Sequence, residues 1–179
     1  MEFSIRVARP EDADAISELI AASVRGLAAG IYDDRQIELS IKSVFGIDHQ
    51  LIEDETYFVA ELDDAIVGCG GWSKRKTLFG ASDYSVSRDP QELDPKVDAA
   101  KIRAFFIHPS AARKGVGRAV LQRCEDEAVA AGFRKTEMMA TLPGVPLYAA
   151  CGYEMAESVA VPVGEGIEIE CVRMHKHLI

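Results

Sequence analysis

Between residues 101 and 140 the chain passes from a strand through a basic, glycine-containing turn into a helix and back to a strand. That unit constrains everything around it. Residues 101–107 are rich in Ile and Phe, as a strand is. Residues 116–131 set Val116, Val120, Cys124 and Ala128 on one helical face, and Gly132 follows as a C-cap. Residues 134–140 are strand again. The turn reads Ala112-Arg113-Lys114-Gly115-Val116-Gly117-Arg118. Backbone N–H groups at a helix start have no intrahelical partner, and the peptide dipoles add partial positive charge there. Glycines remove side chains that would block a ligand's approach. Arg113, Lys114 and Arg118 add cations, so the segment suits a pyrophosphate. The bland alternative is a basic helix opening that binds nothing.

The flanking sequence supplies the other layers. Residues 4–9 alternate Ile5 and Val7 with Arg6 and Arg9, as a half-buried strand does. Pro10-Glu11-Asp12 then starts a helix whose face carries Ile16, Leu19, Ile20, Val24 and Leu27, ending near Gly30. A second helix spans about 34–44, with Ile37, Ile41 and Val44 as its stripe. Residues 57–60 and 65–72 form a hairpin around Asp63-Asp64. Its Gly68-Cys69-Gly70-Gly71 run predicts a bulge or a close backbone approach; no Lys-Ser/Thr follows, which rules out a P-loop. Residues 76–99 read as a loop, holding Gly80, Ser82, Asp83, Ser85, Ser87, Pro90 and Pro95. A loop of that length is either a functional lid or a disordered insertion. A short helix follows at 145–150, stopping at Gly152, and strands at 153–161 and 166–177 close the chain. The order β-α-α-β-β-loop-β-α-β-α-β-β is an α/β layered domain with a mixed sheet.

Composition narrows the function. At 179 residues, 48% hydrophobic and 27% charged, the chain fits one globular domain with an insertion at 76–99 and needs no disulfide or structural metal. No apolar run approaches the roughly 20 residues that span a bilayer, and the charged N-terminus is no signal peptide, so a cytoplasmic location is the expectation. A net charge of −9 disfavours nucleic acid and anionic membrane as partners. It could attract a cationic amine, although acidity for solubility alone explains it as well. Cys69, Cys124, Cys151 and Cys171 are too scattered for a zinc or redox site and read as buried thiols.

Two ligand classes compete for the basic turn. The dinucleotide fingerprint starts well at Gly115 and Gly117, and Glu137 lies at a suitable distance for a ribose contact. Against it, the sixth position is Val120, and seven residues separate Ile107 from Gly115 where a dinucleotide turn is much tighter. Three segments in order, Phe105-Phe106-Ile107-His108-Pro109, the Arg-Lys-Gly-Val-Gly turn at 113–117, and Pro146-Leu147-Tyr148-Ala149-Ala150-Cys151-Gly152-Tyr153, resemble the Gcn5-related N-acetyltransferase (GNAT) superfamily. The resemblance covers nearly the whole chain, with 76–99 outside it.

That resemblance implies a central, mostly antiparallel mixed sheet with helices on both faces and a cofactor cleft where the fourth and fifth strands splay. It implies acetyl-CoA as co-substrate, no metal, and an acceptor amine on a small molecule or protein; homodimers are frequent in the superfamily. Phe105, Phe106 and Ile107 fall where the family pairs its backbone with pantetheine. Ala112 to Gly117 fall on the Q/R-x-x-G-x-G/A pyrophosphate loop, so Ala112, Arg113, Lys114, Gly115, Val116, Gly117 and Arg118 become the expected cofactor-binding residues. Ala112 departs from the pattern at its first position, a change that a backbone-amide grip tolerates. Tyr148 matches the common general acid: a phenol of pKa about 10 can protonate a departing thiolate. Core packing is the alternative for that tyrosine.

Two family positions differ. Lys101 stands where many relatives carry a glutamate base, and Thr141 where many carry an asparagine. The base is therefore open between a water chain, His108, and a loop acid such as Asp83 or Asp98, while His108 before a proline also suits a plain strand end. Trp72 and Tyr84 could line an acceptor pocket, with core packing as the alternative for Trp72. No convincing Cys-His or Ser-His arrangement appears, which agrees with direct transfer in a ternary complex. A second class, a non-catalytic acyl-CoA-binding sensor, would use the same cleft.

Overall fold

In the computed structural model, residues 2–84 and 88–179 are described. Ser85 and Ser87 of the 76–99 segment lie outside them. The elements are β1 (Ser4–Val7), α1 (Ala13–Leu27), α2 (Asp34–Lys42), α3 (His49–Glu53), β2 (Tyr57–Leu62), β3 (Ala65–Ser73), β4 (Ala100–Ile107), α4 (Val116–Ala130), β5 (Lys135–Thr141), α5 (Val145–Ala150), β6 (Glu154–Gly164) and β7 (Ile167–His177). The strands form a seven-stranded sheet in the order β1-β2-β3-β4-β5-β7-β6. Every neighbouring pair is antiparallel except β4 and β5.

Alternation along the strands divides the core in two. Val59 on β2 joins the cluster under α1 and α2, with Ile16, Ile20, Val24, Ile37, Ile169 and Cys171. Its neighbour Phe58 joins the cluster under α4, with Val116, Val120, Cys124, Trp72, Phe133 and Met138. Trp72 meets Phe133 edge-on at 6.0 Å, so it is a core residue as its apolar reading implies. Cys69, Cys124 and Cys171 are buried and Cys151 is half-buried, all as free thiols.

The sequence pattern misses α3, a five-residue helix too short to show periodicity. Asp48 begins it by accepting from the Leu51 N–H at 3.2 Å. The 76–99 segment is more ordered than a plain loop. Its neck is closed by backbone bonds from Lys76 N–H to Gln91 O (2.9 Å) and from Leu93 N–H to Lys74 O (2.7 Å). Ala81 and Ser82 donate to Val44 and Ile47, and the buried Tyr84 hydroxyl donates to Pro162 O at 3.0 Å. Described residues of this strap therefore pack down on the sheet next to the α2–α3 connection.

The glycine run in β3 has its reason in close approach. Between the pairs Cys69↔Phe106 and Gly71↔Arg103, β3 spends one residue and β4 spends two, so the bulge belongs to β4. Ala104 sits there at φ 57, in the left-handed region. Phe105 consequently crosses over β3, where a Cβ on Gly70 would lie 2.3 Å from its ring. A Cβ on Gly68 would lie 2.8 Å from Val116 Cγ1, so these glycines let Phe105 and the start of α4 settle on the sheet.

Candidate functional site

The parallel pair β4/β5 is joined only at Ala100↔Thr136 and Lys101↔Glu137, and then the strands diverge. The bulge at Ala104 marks the divergence. Tyr57, fully buried, donates its hydroxyl to Ala104 O at 3.1 Å and holds the bulge from below. Downstream, the Ile107 N–H donates to the buried Ser23 hydroxyl on α1 at 3.2 Å. What remains is a stretch of β4 edge with no strand beside it, opening onto a cavity.

That cavity has a volume of about 640 Å³, inside the roughly 300–1,000 Å³ typical of small-molecule sites. Its walls include Phe105, Phe106 and Ile107 on β4, Ala112, Arg113, Gly115, Gly117 and Arg118 at the turn, and Pro146, Leu147 and Tyr148 on α5. The turn has the backbone shape of an anion nest: Arg113 at φ 60 and Gly115 at φ 88 are left-handed, and α4 starts immediately after. A Cβ on Gly115 would meet nothing within 4 Å, so it is the backbone conformation that favours glycine there. Among the described residues, the exposed side chains of Arg113 and Arg118 have no ion-pair partner.

Two expected cofactor-binding side chains stand apart from this wall. Lys114 turns back, donating its Nζ to Ser110 O at 2.7 Å. Val116 is fully buried against the sheet, so what it can offer a ligand is its backbone N–H, not its side chain.

A second cavity of about 70 Å³ continues into the gap between β4 and β5. Phe45, Phe105, Phe106, Thr141 and Tyr148 line both cavities. The inner one is otherwise walled by 44–46, by 78–81 of the strap, by Ile102, Arg103 and Ala104, by Met138 and Met139, and by Val161, Ile169 and Cys171. Tyr148 stands at the junction, 8% exposed, its ring edge-on to Phe105 at 6.2 Å and to Tyr153 at 6.1 Å. Burial pushes its phenol well above the usual range, so it stays neutral and protonated at physiological pH.

The candidate bases fall elsewhere. Lys101 is buried in an ion pair with Glu137, which also lies 3.6 Å from Arg173. His108 accepts the Ser110 N–H at 3.1 Å and begins the 3₁₀ turn Pro109–Ala111, the strand-end role. Asp98 accepts from Asp94 N–H at 2.7 Å. Neither these nor Asp83 lines a cavity, and no described Asp, Glu or His does. Tyr84 sits behind the wall made by Gly80 and Ala81, tilted on Phe79 at 5.8 Å. The charged side chains at the cleft are Arg103, Arg113 and Arg118. For a chain of net charge −9 that is a reversal of sign, so the acidic surface does not extend into the cleft.

Several lining residues escape a sequence reading. Ser23 and Tyr32 belong to α1 and the segment after it. The Tyr32 hydroxyl accepts the Leu142 N–H at 3.0 Å and donates to Glu170 O at 2.5 Å, tying the turn before α5 to β7. Arg103 is 3% exposed. Burial pushes its guanidinium down to about 10, with Asp48 pulling the other way, so it remains charged at neutral pH. A buried serine on a helix and an arginine within an apolar strand are the only signals these residues leave in the sequence.

Comparison with known proteins bears on this geometry. The sequence profile of the acetyltransferase (GNAT) family matches residues 26–153. No curated protein sequence matches the chain. Among solved structures, a GCN5-related N-acetyltransferase from Rhodopseudomonas palustris is 20% identical with a TM-score of 0.72, covering 99% of this chain and 96% of that one. PaiA N-acetyltransferase from Thermoplasma acidophilum, in complex with coenzyme A, is 16% identical with a TM-score of 0.66 over 99% of both chains. YncA from Salmonella typhimurium, with acetyl-CoA, is 19% identical with a TM-score of 0.65, covering 100% of this chain and 95% of that one. At such identities the likeness concerns the fold. Among the described residues no helix is long and apolar enough to cross a membrane, and no group of three or more His, Cys, Asp or Glu is arranged to hold a metal ion.

Proposed function

The chain belongs to the acetyltransferase (GNAT) family, and from that premise we propose that it transfers an acetyl group from acetyl-CoA directly to an amine. The observation carrying this reading is the continuity of the cleft: the anion-suited turn, the unpaired β4 edge, Tyr148 and the inner cavity follow one another along a single opening.

Acetyl-CoA supplies an activated thioester whose carbonyl carbon the amine attacks, releasing the coenzyme thiol as the C–S bond breaks. The protein's own parts divide the work. Backbone N–H groups of 113–117 and the start of α4 hold the pyrophosphate, with Arg113 and Arg118 neutralising it. The free edge of Phe105 and Phe106 orders the pantetheine arm as a neighbouring strand would, placing the thioester at Tyr148. Tyr148 gives its proton to the leaving sulfur. Its desolvation keeps the proton on the phenol until negative charge develops nearby. With no carboxylate or imidazole on the wall among the described residues, the acceptor's surplus proton leaves through water, and the positive side chains favour the neutral, nucleophilic amine over the ammonium.

The inner cavity is too small for a folded protein surface, so the acceptor is a small molecule or a single protruding amine. The test is a panel of amines with acetyl-CoA, following thiol release. Saturable, amine-dependent release is the expected result. Tight acetyl-CoA binding with transfer to no member of a broad panel would instead favour a sensor that uses the same cleft.

A further inference from the structure

The outer cavity is bounded from both faces of the sheet, and the two faces differ in chemistry. We propose that its α1 side holds the carbon tail of the acceptor, and that the acceptor is a primary amine on a hydrocarbon chain with no second charge. The proposal rests on the acetyltransferase reading above and names the class of its acceptor.

The strand alternation that divides the core also divides the cavity wall. Phe105, Ile107, Leu147 and Tyr148 pack with the cluster under α4, and the basic turn opens that same helix. Val24, Ala28, Tyr32, Phe45 and Phe106 pack with the cluster under α1 and α2. Leu27 and Ile31 extend this second wall outward. A thioester ordered along the β4 edge therefore has Tyr148 on one side and the α1 wall on the other.

That wall has little to offer a polar tail. The Tyr32 hydroxyl is used twice, accepting the Leu142 N–H and donating to Glu170 O. The buried Ser23 hydroxyl accepts the Ile107 N–H. Thr141 brings a hydroxyl, but to the reacting end: its Oγ1 and the Tyr148 ring both flank Gly144, 3.6 and 2.9 Å from where a Cβ would stand. Among the described residues no Asp, Glu or His lines the cavity, so a second ammonium finds no counter-ion there. A carboxylate fares no better. Arg113 and Arg118 stand at the turn that opens α4, and the terminal nitrogens of Arg103 are held by Thr77, Asp48 and Gln50.

What the wall does offer is apolar surface, part of it open to water. Val24, Leu27 and Ala28 share one helical face by their spacing. Ile31 is 50% exposed and is held at the lip, where its N–H and that of Tyr32 both donate to Ala28 O at 3.0 Å. A lone exposed isoleucine needs no explanation. This one continues a surface that reaches Phe45 and Phe106, whose rings meet edge-on at 5.8 Å and also line the inner cavity. A hydrocarbon tail laid on that surface removes water from both partners. At about 640 Å³ the outer cavity has the room that the inner one, at about 70 Å³, lacks.

The experiment measures initial rates of thiol release at saturating acetyl-CoA. Propylamine, butylamine, pentylamine and hexylamine, all straight-chained, differ in tail length but hardly in basicity. Wild-type kcat/KM should rise by about twofold or more per methylene, about fourfold being the value of a fully buried one. Hexylamine should exceed cadaverine and aminoethoxyethanol, chains of the same atom count, by about tenfold or more, since their polar ends meet no partner on the wall. Ile31→Ser should flatten the rise with tail length through the acceptor KM, with KM for acetyl-CoA unchanged. Ile31→Asp places a carboxylate at the lip and should reverse the order of hexylamine and cadaverine. Ile31 is half-exposed, so neither change touches the core. A flat series in the wild type, or a preference for cadaverine or aminoethoxyethanol, overturns the proposal and leaves the acetyltransferase reading standing. A raised KM for acetyl-CoA in Ile31→Ser also overturns it, because the wall would then serve the coenzyme. If no amine of any kind releases thiol, the acetyltransferase reading fails and the proposal falls with it.

Discussion

The two ends of the cleft are built by different rules. At the α4 end, one contiguous stretch, 112–118, brings the backbone N–H groups of a helix start to the wall, beside the unpaired edge of β4. At the inner end, the wall is assembled from side chains on 44–46, 78–81, β4, β5, β6 and β7. A backbone grip tolerates substitution as long as the chain keeps its path, so it suits a ligand group shared by many relatives. A side-chain wall changes shape with every substitution, so it suits selection among acceptors. Tyr148 belongs to both, and the proposed chemistry takes place at that seam.

The largest expected effect lies at the seam. Tyr148→Phe should lower the single-turnover transfer rate by about 100-fold or more, the usual worth of a positioned general acid, while calorimetric affinity for coenzyme A stays nearly unchanged. Full activity in the variant would leave the seam without a chemical role and dissolve the contrast between the ends. The sign of the pKa shift adds a second reading. An acid raised by burial above its ordinary value near 10 contributes stability below that pH and loses it above. Tyr148 should therefore cause no alkaline fall in kcat below about pH 10, the unperturbed phenol value. Next in size is charge reversal of the turn: Arg113→Glu with Arg118→Glu should raise KM for acetyl-CoA by about tenfold, an effect that added salt reduces. The acceptor KM at saturating acetyl-CoA should not move. If it does, the two ends are not separable.

The same contrast explains what could be read in the sequence. Periodicity located the strands and the long helices to within a few residues, because Val116, Val120, Cys124 and Ala128 or Ile167, Ile169 and Cys171 repeat at the spacing of their element. The α4 end was legible for the same reason: its glycines and cations are neighbours in the chain. The bulge at Ala104 left no mark on its own strand, since alanine is not a residue that announces a left-handed φ; the hydroxyl that holds its carbonyl is on Tyr57, 47 residues away. Nor could the sequence reveal that Asp48, Arg88 and Arg103 meet, because α3 and the strap bring them together only in three dimensions. His108 lies next to the motif in sequence, and its ring is turned to Ser110, as the strand-end reading of a histidine before proline has it.

Smaller effects sharpen the division. Met139→Trp adds bulk to the inner wall only, and overfilling a packed site costs about 1–3 kcal/mol. It should raise the acceptor KM by about fivefold at the lower end of that cost and leave coenzyme A affinity as it was. A melting curve close to wild type would show that the fold has absorbed the change.

The smallest effect tests how the outer end works. Gly115 stands at φ 88 in open space, so Gly115→Ala adds no clash within the protein, and its cost is conformational. A left-handed non-glycine residue costs about 1 kcal/mol, which predicts a rise of about fivefold in KM for acetyl-CoA. Gly115→Asn distinguishes strain from obstruction. Asparagine visits the left-handed region more readily than alanine but carries a larger side chain. If backbone shape is what the turn contributes, Asn should bind acetyl-CoA better than Ala. If open room for the phosphate is the greater need, Asn should bind worse, and the outer end would depend on side-chain identity as the inner end does.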